Sequence, residues 1–392
     1  MPYRPLGYLR TEVFIVLPPF GLLEDGSAPL LIWRGAAFAK VSGPVAGCMQ
    51  RGTLMDDLPD TMRALVLHGP GERLSLEDVS RPRPRAGEVL VRIAASPINP
   101  SDLAILNGEY GLRWDYPLIP GLEGSGVVVA AGSGLMGRIV MGKNVAFVGQ
   151  NQGLWAEYAV VPASRVLPLP KTMGLGVGAS SFVNPLTAMA LVGEVRRAKQ
   201  WSAISTAAGG ALGAMIRRRA KEKGVKIINV VRKDAQVDAL KAEGARFVLN
   251  ETASDFDAEL AELCKDLRCR MAFDAVGGTL TFRIGQALRS GGQIIVYGGL
   301  SGAPVSIHSG TMIFKGLSVK GFWLSQWLAR KSAPELLLMT RQVTKSLQSG
   351  FAQTHVARHV PLELAADAPS AYASNMSGGK ILISTGAYPL GL

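Results

Sequence analysis

The chain has 392 residues, enough for two or three domains, and 48% of them are hydrophobic, enough for a sizeable core. No uninterrupted apolar run reaches the roughly 18 residues that span a bilayer, so we expect no membrane partner. The formal net charge is +12, but apart from Arg217, Arg218 and Arg219 the basic residues are scattered along the chain. Aromatic residues are not interleaved with them as in a nucleic-acid-binding module. This pattern argues against a nucleic-acid partner and suits phosphorylated ligands.

Residues 1–61 lack the periodicity of the rest of the chain. A secretory signal would need a continuous apolar core, which Pro18 and Pro19 interrupt, and a transit peptide would normally lack acidic residues such as Glu24. We interpret this segment as a poorly ordered extension, or as sequence upstream of a start at Met62.

From Met62 to about residue 183 the pattern predicts a small β-rich domain. Residues 62–68 form an apolar strand followed by a Gly-Pro-Gly turn, and residues 89–94 alternate as in a partly buried strand. The segment 121–134 is rich in glycine and contains a short apolar run.

After about Asn184 the pattern changes to alternating strands and helices. The predicted strands are 201–206, 226–231, 247–249, 271–276 and 293–297, and the predicted helices are 214–223, 235–243 and about 280–288. This alternation predicts an α/β fold with a doubly wound parallel sheet.

A glycine-rich turn, residues 207–213 (AAGGALG), lies between the first of these strands and its helix. Such a turn brings backbone N–H groups and a helix N-terminus close to the pyrophosphate of a dinucleotide. The turn is not a strict GxGxxG, since Ala211 replaces a glycine, and the alternative interpretation is tight strand–helix packing. Its position inside a complete βαβ unit favours the dinucleotide.

The end of the second strand indicates which dinucleotide binds. An NAD site usually carries an acidic residue about 20 residues beyond the glycines, which binds the ribose 2′-hydroxyl. Here the strand ends in Arg232 and Lys233, and two cations suit the 2′-phosphate of NADP. Either could also be an ordinary solvated residue, but NADPH is the favoured cofactor.

Metal-binding residue types are scarce. Residues 62–170 contain His68 and no cysteine, whereas a zinc site takes three or four protein ligands. Cys264 and Cys269 have no neighbouring histidine and are interpreted as unpaired thiols, so we expect no metal site. Together with Cys48 they are too few for a disulfide framework and fit a reducing cytoplasm.

Two short motifs, Asn99-Pro100-Ser101-Asp102 and residues 121–126 (GLEGSG), together with the glycine turn, resemble the medium-chain dehydrogenase/reductase superfamily. The resemblance implies a Rossmann domain over 184–325 and a GroES-like catalytic domain formed by 62–183 with 326–392. Zinc alcohol dehydrogenases of that superfamily carry a cysteine near the first motif and a histidine before the glutamate of the second. This chain has Asn99 and Leu122 there, which implies a zinc-free member.

A narrower resemblance, from Met62 to Ser384, is to the mitochondrial-type trans-2-enoyl thioester reductases. The segments that carry it are 99–110 (NPSDLAILNGEY), 183–188 (VNPLTA), 297–300 (YGGL) and 314–327 (FKGLSVKGFWLSQW). The glycine turn departs from this branch and is closer to that of quinone reductases.

The resemblance implies a role for each matching residue. Tyr110 matches the proton donor. The matching cofactor-binding positions are Asn184, Gly209, Gly210, Ala211, Leu212, Gly213, Arg232, Lys233, Tyr297, Gly298, Gly299, Leu300, Phe322, Trp323, Leu324, Ser325 and Lys380. Structural alternatives remain: Tyr110 as a buried tyrosine with a satisfied hydroxyl, Trp323 and Trp327 as core residues, Lys380 as a solvated strand start, and Asn184 as a turn residue.

The function that these residues imply is NADPH-dependent, zinc-independent hydride transfer to the β-carbon of a trans-2-enoyl thioester, with Tyr110 as proton donor. A phenol of ordinary pKa is protonated at neutral pH and can donate. The alternative within enzymes is an NADPH quinone or enone oxidoreductase, which needs no donor at Tyr110. A remote alternative is a non-catalytic nucleotide- or nucleic-acid-binding protein. A homodimer is implied by resemblance alone.

Overall fold

The computed structural model describes residues 58–111, 114–149 and 153–392, so all but the last residues of the predicted N-terminal extension lie outside the described part. The strands are β1 (Thr61–Val66), β2 (Ser75–Ser80), β3 (Glu88–Pro97), β4 (Glu123–Ala131), β5 (Asn144–Val148), β6 (Tyr158–Pro162), β7 (Leu167–Pro168), β8 (Ser202–Ser205), β9 (Lys226–Val231), β10 (Phe247–Asn250), β11 (Met271–Asp274), β12 (Gln293–Val296), β13 (Ser318–Gly321), β14 (Val356–Pro361) and β15 (Lys380–Ser384).

The helices separate or flank these strands. They are α1 (Pro100–Leu106), α2 (Leu135–Val140), α3 (Leu175–Gly178), α4 (Val183–Arg197), α5 (Ala211–Glu222), α6 (Asp234–Ala242), α7 (Phe256–Asp266), α8 (Gly278–Ala287), α9 (Ser309–Lys315), α10 (Leu324–Ala329), α11 (Ala333–Gln348) and α12 (Ala368–Ser374). None of the described helices is long and apolar enough to cross a membrane.

A six-stranded parallel sheet forms the second half of the fold, in the order β10-β9-β8-β11-β12-β13. The order reverses between β8 and β11, which is the switch point at which such sheets bind ligands. The predicted doubly wound α/β sheet is therefore confirmed: β9 has the predicted bounds, β10 is one residue longer, and the other three predicted strands are one or two residues shorter. Trp201, for example, is 58% exposed and lies outside β8.

A seven-stranded, mostly antiparallel sheet forms the β-rich part, in the order β14-β15-β3-β4-β5-β7, with β6 also paired to β3. Strands β14 and β15 come from the end of the chain, and β15 joins β3 through Leu382 opposite Pro97. The C-terminal segment therefore returns beside α1. The domain boundaries at 183/184 and 325/326 stay a prediction.

The central strand β3 differs from the prediction of a partly buried strand. Val89, Leu90, Val91 and Ile93 are all at most 1% exposed, because successive side chains enter different core clusters on the two faces of the sheet. Only Arg92 among the residues predicted to alternate is exposed. An apolar–polar pattern underestimates burial where both faces of a sheet are covered.

Helix α5 begins at Ala211, three residues before the predicted start. The turn before it is tighter than expected, since the N–H of Gly210 donates to the carbonyl of Ala207 at 3.1 Å. The last residues of the glycine-rich motif therefore form the first turn of the helix. Helix α7 was not predicted, although Phe256, Leu260 and Cys264 recur at helical spacing on its buried face.

Candidate active site

A large cleft runs along the carboxyl ends of the parallel strands and continues between the two sheets. Its volume is about 1160 Å³, and its walls include residues that directly follow β9, β11, β12 and β13. Single-ligand pockets usually measure about 300–1,000 Å³, so this cleft has room for two ligands side by side. Every residue predicted as catalytic or cofactor-binding lines it, while the individual roles stay predictions.

The glycine turn lies on the cleft wall and ends at the N-terminus of α5. Gly210 is the N-cap of that helix, and no side chain caps it, so the first N–H groups remain available to a ligand. A Cβ on Gly210 would have only the carbonyl oxygen of Ala207 nearby, at 3.5 Å, whereas one on Gly213 would collide with the carbonyl oxygen of Ala208. Gly213 thus serves strand–helix packing, and Gly210 leaves an open surface for a phosphate.

Arg232 and Lys233 follow β9 and are exposed on the same wall. Neither forms an ion pair with a carboxylate of the described residues. Glu251, beyond β10, also lines the cleft. Burial raises the pKa of this carboxyl, and the charge of Arg232 opposes the rise. The two cations are therefore available to an anionic group, and their contact with a 2′-phosphate stays a prediction.

Asp274 holds the cleft wall in place at the end of β11, and the sequence analysis gave it no role. Its carboxylate is fully buried and accepts hydrogen bonds from the hydroxyls of Thr206 at 3.0 Å and Thr281 at 2.5 Å. The same carboxylate accepts the backbone N–H groups of Val276 and Gly277 at 2.9 and 3.2 Å. These bonds fix the backbone that turns into the cleft. A carboxylate at the end of an apolar strand was the available signal.

Tyr110 and Trp323 meet across the cleft. The indole Nε1–H of Trp323 donates to the phenol oxygen of Tyr110 at 3.2 Å, and the rings pack edge to face with centroids 6.2 Å apart. Burial raises the pKa of Tyr110 above its usual value, the Trp323 bond opposes the rise, and the nearby carboxyl of Asp102 adds to it. The core interpretation of Trp323 and Trp327 is wrong, because both side chains are only partly buried.

Lys380 is 3% exposed, so its interpretation as a solvated strand start is wrong. Its ammonium donates to the side-chain oxygen of Asn99 and to the carbonyl of Ile98, the latter at 3.3 Å, and lies 5.7 Å from the centre of the Tyr372 ring. Asn99 and Lys380 both line the cleft. The protein itself therefore holds the lysine at the bottom of the cleft.

Two carboxyl groups lie behind this lysine. Glu123 accepts the side-chain N–H of Asn99 at 3.1 Å and the backbone N–H of Val183 at 2.9 Å. Asp102 accepts the backbone N–H groups of Asn99 and Leu122 at 2.7 and 2.9 Å. Both are fully buried, which raises their pKa values, that of Asp102 to about 7, while the charge of Lys380 opposes the rise.

Asn184 lies in the first turn of α4, directly after Val183, so it is a helix residue and its interpretation as a turn residue is wrong. It is 9% exposed and lines the cleft.

No group of three or more His, Cys, Asp or Glu side chains in the described part of the chain is placed to hold a metal ion. Cys264 and Cys269 are both buried and not disulfide-bonded, and neither lines the cleft.

Comparison with known proteins places this geometry in context. Residues 85–171 match the family model of the alcohol dehydrogenase GroES-like domain, and residues 211–340 match that of the zinc-binding dehydrogenases. The mitochondrial enoyl-[acyl-carrier-protein] reductase of Rattus norvegicus is 34% identical over 286 residues, which are 71% of this chain and 76% of that protein. The Homo sapiens enzyme of the same name is 30% identical over 345 residues, 86% and 91% of the two chains.

Among solved structures, a putative NADPH:quinone reductase from Mesorhizobium loti superimposes with a TM-score of 0.76 at 34% identity. The superposition covers 83% of this chain and 99% of that one.

Proposed function

Since the chain belongs to the medium-chain dehydrogenase/reductase superfamily and is an NADPH-dependent oxidoreductase, we propose that it reduces the carbon–carbon double bond of a trans-2-enoyl thioester. In this proposal the reaction needs no zinc, and Tyr110 supplies the proton. The two enoyl reductases named above, which match 71% and 86% of this chain, support the substrate class.

The observation that carries the proposal is the hydrogen bond between Trp323 and Tyr110. An indole N–H can only donate, so the phenol oxygen of Tyr110 accepts this bond. Among the described residues the O–H of Tyr110 has no acceptor, and it can donate into the cleft. Burial keeps the phenol protonated at neutral pH because it raises the pKa further above 10. A protonated donor with a free O–H, held at the cleft wall, is what protonation of a reduced enoyl thioester requires.

In this proposal the cofactor binds along the cleft wall at the carboxyl ends of the parallel strands. The uncapped N-terminus of α5 would hold the pyrophosphate, Arg232 and Lys233 the 2′-phosphate, and the residues around Asn184 and Tyr297 the nicotinamide end. When bound, NADPH supplies the hydride that reduces the β-carbon and becomes NADP⁺.

The protein supplies the other half of the reaction. Tyr110 gives its hydroxyl proton to the α-carbon as that carbon gains a C–H bond, and the phenolate left behind accepts the N–H of Trp323. A proton from solvent restores the phenol for the next cycle. Trp323 is therefore placed to stabilise the negative charge that forms on Tyr110.

Zinc independence is supported by the residues at the bottom of the cleft. Asn99 and Leu122 stand where zinc alcohol dehydrogenases carry cysteine and histidine. The side-chain oxygen of Asn99 already accepts a hydrogen bond from the ammonium of Lys380. A positive side chain in that position disfavours a second cation.

The second candidate is an NADPH quinone or enone oxidoreductase. The AAGGALG turn and the similarity to the Mesorhizobium loti protein favour it. We also propose a cytoplasmic homodimer, which sedimentation would test, with no nucleic-acid or membrane partner.

NADPH consumption by the purified protein tests both candidates, with crotonyl-CoA, a longer trans-2-enoyl-CoA and a simple quinone offered in parallel. Fast turnover of an enoyl-CoA with little activity on the quinone supports the thioester reductase. Activity on the quinone alone moves the protein to the second candidate and leaves Tyr110 as a packing residue.

A further inference from the structure

Two helices that serve the two sides of the reaction begin side by side at the bottom of the cleft. Helix α1 leads to the donor, since the N–H of Tyr110 bonds back to the carbonyl of Ala104 within that helix. Helix α4 carries Asn184 in its first turn. The N-cap of α4 is Phe182, whose side chain makes no cap hydrogen bond. The backbone N–H groups of the first turn of α4 therefore need an acceptor from elsewhere in the protein.

Glu123 is that acceptor. One oxygen of its carboxylate accepts the N–H of Val183 at 2.9 Å, and the other accepts the amide of Asn99, the N-cap of α1, at 3.1 Å. The side chain is fully buried and does not line the cleft. A single carboxylate thus joins the N-termini of the two helices without touching either ligand.

The direction of each hydrogen bond makes a carboxylate necessary. At one end of the chain of bonds the ammonium of Lys380 can only donate, to the oxygen of Asn99, and at the other end the N–H of Val183 can only donate. The Asn99 amide accepts on one side and donates on the other. A chain of hydrogen bonds with a donor at each end needs one group that accepts two hydrogen bonds. Glu123 is that group, since it accepts from Asn99 and from Val183.

We propose that Glu123 is a positioning residue for this reaction. By accepting hydrogen bonds from Asn99 and Val183, it fixes the position of α1 and the loop that carries Tyr110 relative to α4. The inference rests on the proposed function, because it takes Tyr110 as the donor and α4 as a wall of the cofactor site. Glu123 acts through the helices and is not itself a catalytic residue.

The bond directions supply a specific test. Glu123→Gln replaces one acceptor by a donor, which then faces the donor of Asn99. Asn99→Asp places two carboxylates against each other. The double variant Asn99→Asp/Glu123→Gln restores the pattern in reverse. The new carboxylate at position 99 would accept from Lys380 and from the new amide at position 123, and the oxygen of that amide would accept from Val183. The double variant also keeps the net charge.

We expect each single variant to lower kcat by on the order of tenfold to a hundredfold, because small misplacements of reacting groups cost that much. The Kd for NADPH should rise less than about threefold, since the glycine turn, Arg232 and Lys233 are untouched. The double variant should recover most of kcat, because coupled residues do not contribute additively. Glu157→Gln, which removes a carboxylate paired with Arg63 away from the cleft, is the matched control.

Hydrogen exchange gives a readout that needs no substrate. Amides of residues 99–110 and 182–188 should exchange faster together in Glu123→Gln and return towards wild type in the double variant. The proposal is overturned if the kcat of Glu123→Gln stays within twofold of wild type. It is also overturned if the double variant shows no higher kcat and no slower amide exchange than the slower of the two single variants. If the wild type reduces no enoyl thioester, the proposed function fails. The role of Glu123 is then still tested by amide exchange and by kcat on whichever substrate the protein does reduce.

Discussion

Trp323 and Tyr110 are 213 residues apart in the chain and joined by one hydrogen bond of 3.2 Å. The bond connects the loop after α1, in the antiparallel part of the fold, with the second residue after β13 of the parallel sheet. Both side chains line the cleft, so this contact between the two parts of the molecule is also part of the candidate active site.

Removing the hydroxyl of Tyr110 tests the donor. Tyr110→Phe should lower kcat on an enoyl-CoA by about 10²–10⁴-fold, the usual contribution of a positioned proton donor. The Kd for NADPH, measured by fluorescence titration, should stay within twofold. Tyr388→Phe removes a partly buried hydroxyl away from the cleft and should leave kcat unchanged. Full activity of Tyr110→Phe would remove the residue from the mechanism.

Trp323→Phe keeps an aromatic ring but removes the N–H that Tyr110 accepts. Since that bond lowers the pKa of Tyr110, its loss should raise the pKa and move the alkaline limb of the kcat profile to higher pH. The phenolate also loses a hydrogen-bond donor, so kcat should fall by roughly tenfold. The control is Trp327→Phe, whose ring packs against Phe322 instead of Tyr110. An unshifted alkaline limb would contradict the prediction.

Arg232→Ala/Lys233→Ala tests the cofactor preference. Each charge-assisted hydrogen bond is worth about 1.5–3 kcal/mol, so the double variant should weaken NADPH binding by at least about a hundredfold. The affinity for NADH, which lacks the 2′-phosphate, should change little. Calorimetric titration with both nucleotides measures this, with the exposed Lys241→Ala as control. Equal losses for NADPH and NADH would mean that the two cations do not contact the 2′-phosphate.

Asp102 should make stability depend on pH. Burial raises its pKa in the folded protein to about 7, above the usual value, so the folded state holds a proton that the unfolded state has released. Its contribution to the free energy of unfolding is therefore fully present below about pH 4 and declines as pH rises to about 7, by up to about 1.4 kcal/mol per pH unit.

Urea unfolding at pH 5, 6 and 7 measures this dependence. The stability advantage of the wild type over Asp102→Asn should shrink as pH rises through that range. Asp367→Asn, at an exposed carboxylate paired with Arg73, should show a constant difference. A wild-type advantage over Asp102→Asn that stays constant from pH 5 to 7 would show that Asp102 is already ionised in the folded state and would contradict the prediction.

Local sequence determined much of this protein. The alternation of short apolar strands with amphipathic segments fixed the parallel sheet, because helical and extended segments bury side chains at different spacings. The glycine turn and the two cations after β9 lie in one βαβ unit, so their place on the same wall followed from the order of elements.

Tertiary structure alone decided the bottom of the cleft. Glu123, Lys380 and Trp323 come from three distant segments, and which donor meets which acceptor depends on how β15 pairs with β3 and where the two sheets meet. The same nonlocal pairing buries Lys380, which local sequence leaves as a solvated residue. The periodicity of apolar side chains predicts only which face of a helix or strand is buried. Hydrogen bonds between elements that are distant in the chain produce no local sequence pattern, so they could not be predicted.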